Sequence, residues 1–86
     1  MNREEFGKWV KQLRKECDMT QERLALMLGY DHSQSIANIE SGRTPLPFVK
    51  YRDFIKIFDL DPEKFINVLL SMERSKIEKS IFQLKK

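Results

Sequence analysis

Between Thr20 and Gly42 the chain reads TQERLALMLGYDHSQSIANIESG, and two short apolar stripes stand there at helical spacing, each closed by a glycine. Leu24, Ala25 and Leu28 share one face of a predicted helix over residues 21–28, with Thr20 placed to cap its free amides and Met19 to pack on Leu24. Gly29 follows the last turn, where a left-handed residue is needed. Tyr30-Asp31-His32 reads as a turn. A second short helix is predicted over 34–40, with Ser33 as its cap, Ile36 and Ile39 (helped by Ala37) as its anchors and Gly42 as its stop. Two small helices joined by so tight a turn can bury their apolar faces only against neighbouring helices.

The flanks supply those neighbours. Phe6, Val10, Leu13 and Cys17 recur at spacings of four, three and four, which predicts a first helix from about Arg3 to Cys17, with Trp9 widening its stripe. Glu4 and Glu5 suit its positive end. Cys17, on that stripe, is expected to be a buried, inert thiol. Thr44-Pro45-Leu46-Pro47 is a rigid connector, and Pro47 is expected to open a fourth helix carrying Phe48, Tyr51, Phe54, Ile55 and Phe58. Asp61 can cap and Pro62 can open a fifth, with Phe65, Ile66, Leu69 and Leu70 facing inward. Ile77, Ile81 and Leu84 then recur at helical spacing with Phe82 beside them, as a continuation of helix five or as a sixth helix. An amphipathic helix with nothing over its stripe is unstable in water, so this segment must pack on the domain or on a partner. The fold class is therefore all-α, a five-helix domain over 1–70 with a helical, basic extension over 71–86. At 86 residues there is room for one small core, a size that often gains stability from dimerisation.

Charge narrows the function. The net charge is +3, yet residues 1–70 carry eleven basic and eleven acidic side chains, so the excess lies in 71–86. Nucleic-acid binding would then depend on local placement of Lys and Arg. One cysteine rules out an internal disulfide, and one histidine far from it offers no metal set. No glycine-rich phosphate loop, no paired carboxylates with a placed base and no activated serine is present, so no enzyme, catalytic residue or cofactor is expected. No apolar run reaches the length of a membrane span, and the polar, acidic start is unlike a signal peptide, so a cytoplasmic protein without membrane contact is expected.

Two helices and a tight turn of this kind make a helix-turn-helix, which puts its second helix into the DNA major groove. If Ile36 and Ile39 point inward, Ser33, Gln34, Ser35 and Asn38 fall on or near the opposite face. Such side chains suit base edges: glutamine and asparagine can pair bidentately with adenine, serine can serve several bases, and the Ala37 methyl suits that of thymine.

Leu13-Arg14, Thr20-Gln21-Glu22, Leu24-Ala25, Leu28-Gly29, Ile36, Ile39-Glu40, Gly42 and the Pro45 loop, in that order and spacing, resemble the lambda-repressor-like, Cro-type (XRE) helix-turn-helix family. The run from Tyr30 to Ser35 is one residue longer than in many members, which leaves open which side chain holds each end of the recognition helix. The resemblance implies base reading by Ser33, Gln34, Ser35 and Asn38, and a phosphate contact from Gln21. It also implies a salt bridge from Arg14 to Glu40 that orients helix three. Arg43 is well placed for a phosphate; Lys50 and Arg52 could reach the backbone or simply face solvent; His32 could reach a phosphate or cap its turn. The expected function is a sequence-specific regulator of double-stranded DNA, a homodimeric repressor on a near-palindromic operator. The alternative is an interaction module, with the tail binding a protein such as a toxin or RNA polymerase. Ile77, Ile81, Phe82 and Leu84 are the candidate dimer surface.

Overall fold

The computed structural model describes residues 1–82, all-helical with no strand among them. Helices α1 (Arg3–Glu16), α2 (Gln21–Met27) and α3 (Gln34–Glu40) are followed by a 3-10 turn (Phe48–Lys50), α4 (Tyr51–Phe58) and α5 (Pro62–Phe82). Leu84 lies outside the described residues.

Local chemistry sets most of these boundaries. Asn2 opens α1 with a capping box: its side chain accepts from the Glu5 amide at 2.8 Å, and the Glu5 carboxylate accepts from the Asn2 amide at 2.8 Å. Thr20 caps α2 by accepting from the Arg23 amide at 3.0 Å. Asp61 accepts from the Glu63 amide at 3.1 Å, and Pro62 is the first residue of α5. Three boundaries differ from expectation. Cys17 is not buried: α1 ends at Glu16, Cys17 is an exposed capping residue, and Asp18 turns the chain with a left-handed φ of 54°. The apolar stripe had already given way to Arg14, which occupies the buried position one turn earlier. Ser33 stands at the start of α3 in a helical conformation, and its hydroxyl caps nothing. Pro47 is extended and leads into the 3-10 turn, so α4 begins only at Tyr51.

The core is a single cluster of Phe6, Val10, Leu24, Ala25, Leu28, Ile36, Ile39, Leu46, Phe54 and Phe65. Its aromatic centre packs Phe6 against Trp9 at 5.6 Å and Phe54 against Phe65 at 5.6 Å between ring centroids. This cluster gives α3 something dry to rest on, which a seven-residue helix needs to persist at all.

Helix α5 departs most from the sequence reading. It is one uninterrupted helix to Phe82, so the tail continues it as far as the described residues reach. Phe65 is buried and Leu69 and Met72 are half-buried against the core, whereas Ile66 and Leu70, expected inward, are exposed. The helix is apolar on two sides. Phe65, Leu69 and Met72 face the core, while Ile66, Leu70, Ile77 and Ile81, spaced four, seven and four apart, line a second face in solvent. Phe82 is not on that stripe; it lines a shallow hollow with Asn2 and Glu5 of the domain and with Ser75, Glu78 and Lys79. No described helix is long and apolar enough to cross a membrane.

Candidate nucleic-acid interface

The position of α3 is fixed first by a glycine. A Cβ on Gly7, in the middle of α1, would lie 2.3 Å from the Glu40 carbonyl oxygen and 2.6 Å from that of Ile39. Helix α1 therefore touches the last turn of α3 backbone to backbone. Ile36 and Ile39 are sealed in the core. Gly42, with φ of 82°, ends α3, and a Cβ there would meet Glu4 backbone at 3.1 Å. Nothing in the helical pattern around Gly7 signalled this approach except the glycine itself, an unfavourable residue in a helix interior.

A buried polar network holds the same end. Arg14 Nε donates to Glu40 Oε2 at 2.7 Å and Nη2 donates to Oε1 at 3.2 Å, while Nη1 donates to the Met19 carbonyl at 2.7 Å. The Gln21 side-chain amide adds a donor to Glu40 Oε1 at 3.0 Å. The two charged side chains are only 9% and 5% exposed, and no buried side-chain nitrogen or oxygen among the described residues lacks a partner. So deep an ion pair is tolerable only when it is fully hydrogen-bonded. Gln21 thus ties the first turn of α2 to the last residue of α3.

On the outer face, Gln34 is exposed and Ser33, Ser35, Ala37 and Asn38 are half-exposed. Gln34 Nε2 donates to Asn38 Oδ1 at 3.0 Å, and Arg43 Nη1 donates to the same oxygen at 3.3 Å. The Asn38 backbone carbonyl accepts from the amides of Arg43 at 2.9 Å and Thr44 at 3.2 Å and from the Ser41 hydroxyl at 3.1 Å. Arg3 Nη1 reaches the Arg43 carbonyl at 3.4 Å. The chain leaving α3 is therefore folded back onto Asn38. Arg3 and Asn2 were not singled out from the sequence; Asn2 followed three residues later by Glu5 was the readable signal.

The remaining candidates ring this face. His32 is exposed in the turn, and its carbonyl accepts from the Ser35 amide at 3.3 Å. Lys50 Nζ sits 4.5 Å over the Tyr30 ring, beside the Gly29 turn, which places a cation at the bend between α2 and α3. Burial pushes the Tyr30 phenol above its ordinary value, so it stays neutral beneath that lysine. Arg52 is exposed on α4. The structure thus joins Gln34, Asn38 and Arg43, draws Gln21 into the Arg14–Glu40 network and leaves His32 open to solvent. Among the described residues no cluster of His, Cys, Asp or Glu could hold a metal ion.

A short helix set on a second one through a glycine turn, its apolar side in the core and its amides outward, is the helix-turn-helix of DNA-binding regulators. The comparison with family models agrees: the helix-turn-helix family HTH_3 matches residues 10–65, well over half of the chain. The chain belongs to this lambda-repressor-like, Cro-type (XRE) family of DNA-binding domains. Neither the curated proteins nor the solved structures gave a match.

Proposed function

We propose that the chain is a sequence-specific regulator of double-stranded DNA that acts as a homodimeric repressor in the cytoplasm. The observation that carries this is the division of α3: Ile36 and Ile39 are sealed within the core while Gln34, Ser35 and Asn38 stand at the surface. Gln34, Asn38, Ser35 and Ser33 are assigned to base edges, and Arg43, Lys50 and His32 to phosphates. Gln21, with one amide hydrogen on Glu40, approaches the backbone from the start of α2. Two reading heads entering successive major grooves, roughly 34 Å apart, suit a near-palindromic operator, and occupancy there blocks polymerase.

The solvent-facing stripe of α5 supports the second copy. Glu73 and Arg74 flank it on opposite sides at nearly the same height. A parallel pair of α5 helices buries Ile66, Leu70, Ile77 and Ile81 and sets Glu73 against the partner's Arg74. Sedimentation of the full chain carrying Ile77→Glu checks this: a monomer is expected, and an undiminished dimer removes the stripe from the interface.

Selection of bound sites from random duplex DNA tests the main reading. Enrichment of a defined sequence, with affinity falling steeply as salt rises, is the expected result. A second reading has its own observation: Phe48 and Val49, in the 3-10 turn of the domain, are 77% and 70% exposed, an apolar pair suited to another protein. Failure to enrich any duplex, together with a stoichiometric protein partner, favours an interaction module instead.

A further inference from the structure

We infer that Arg43 sets which base Asn38 reads, making it select guanine rather than adenine. The inference rests on the proposed docking of α3 in the major groove and goes beyond it by assigning a base and a second residue that determines the choice.

An asparagine amide reads adenine by donating one N–H to N7 while its oxygen accepts from the N6 amino group. That oxygen must be free. In this structure Asn38 Oδ1 already accepts from Gln34 Nε2 at 3.0 Å and from Arg43 Nη1 at 3.3 Å. An amide oxygen has two lone pairs, so both are taken. Among the described residues Asn38 Nδ2 makes no hydrogen bond, and its two N–H groups remain for the groove. Two donors match N7 and O6 of guanine, which are both acceptors on one edge. Against adenine one donor meets N7 and the other confronts an amino group that also donates. Cytosine offers a donor, and thymine a single acceptor beside a methyl group.

The position of Arg43 follows from the backbone. Its amide and that of Thr44 are bonded to the Asn38 carbonyl at 2.9 and 3.2 Å. Gly42 makes the reversal with a left-handed φ, in a space that Glu4 closes to a side chain, and Arg3 holds the Arg43 carbonyl at 3.4 Å. The guanidinium is thereby returned to the side chain of the residue that anchors the loop. Arg43 takes the second lone pair, the one that Gln34, at 3.0 Å, leaves open. Arg43 keeps other N–H groups for a phosphate, so orienting Asn38 and gripping the backbone are compatible.

The experiment uses the full chain and sites selected from random duplex DNA. The base pair whose preference disappears in Asn38→Ala marks the Asn38 position. Wild-type protein is expected to prefer guanine over adenine there by about tenfold. In Arg43→Ala overall affinity falls, and the guanine-to-adenine ratio at that one position collapses by about the same factor. In Arg43→Lys, which keeps a charge for phosphate, the ratio shifts the same way with a smaller loss of affinity. Asn38→Asp keeps the acceptor that Arg43 grips but has no donor, and it loses the guanine preference. Adenine chosen by the wild type at that position overturns the inference. So does an Arg43→Ala variant that weakens every sequence equally with the ratio unchanged, the signature of a phosphate contact alone. Enrichment of no sequence by the wild type overturns the DNA reading itself, an outcome distinct from both.

Discussion

Helix α3 carries two polar networks, one on each side, built from the same kinds of group in opposite surroundings. Inside, Arg14 and Glu40 meet at 2.7–3.2 Å with almost no access to water, and the half-buried Gln21 joins them at 3.0 Å. Outside, Gln34, Asn38 and Arg43 meet at 3.0–3.3 Å in solvent. The two bonds of the buried ion pair cannot be exchanged for water, so each is costly to break and together they fix where the helix lies. The outer bonds stand beside water and cost less to break, and they leave the Asn38 amide hydrogens, not its oxygen, open to a base edge. Desolvation, not the identity of the bonds, separates the side that holds from the side that reads.

The contrast is open to measurement through unfolding free energies. Glu40→Ala strands the Arg14 guanidinium in the core and is expected to lose about 3–5 kcal/mol in chemical denaturation. A loss under about 1 kcal/mol would erase the distinction between the two networks. Replacing both partners, Arg14→Met with Glu40→Leu, should lose clearly less than Glu40→Ala alone. If that double variant also binds DNA with blurred base preference, the inner pair serves to aim α3 rather than to stabilise the fold.

Gly7→Ala comes next. Alanine favours a helix by about 1 kcal/mol, but its Cβ would press on backbone atoms of Ile39 and Glu40 that cannot rotate away. A net loss of about 2 kcal/mol is expected, and a thermal scan showing stabilisation would mean that α1 and α3 can part. Asn2→Ala removes the α1 cap for about 1 kcal/mol and should leave base preference untouched. The smallest effect on stability belongs to the outer network. Asn38→Ala should stay within about 0.5 kcal/mol of wild type in denaturation while losing about 1–3 kcal/mol of discrimination at one base pair.

Much of the fold was legible because it depends on local rules. Ile36 and Ile39 lie three apart on a face that must be dry, Thr20 caps α2, Gly29 takes the left-handed turn expected of it and Gly42 ends α3. The misses have physical causes. Helical spacing placed Cys17 on the stripe of α1, but the charged pair at Arg14 displaced the apolar sequence there and the helix stopped one residue short. In α5 Ile66 and Leu70 have the composition of core residues, and periodicity cannot say which of two apolar sides meets the domain. At the interface, spacing chose the residues of the outer face and the Gln34–Asn38 bond is a four-residue helical pair, yet the bond from Arg43 to Asn38 depends on a chain reversal that the sequence announces only through Gly42.

The close seat of α1 on α3 at Gly7 has a consequence for how such a protein can change. Main chain rests on main chain there, with no intervening layer of side chains whose size could alter the tilt. Variation among Phe6, Val10, Leu24 or Phe54 can soften the interior without re-aiming the reading helix. Selectivity is then free to diverge through a few surface positions, on a scaffold that wears independently of it.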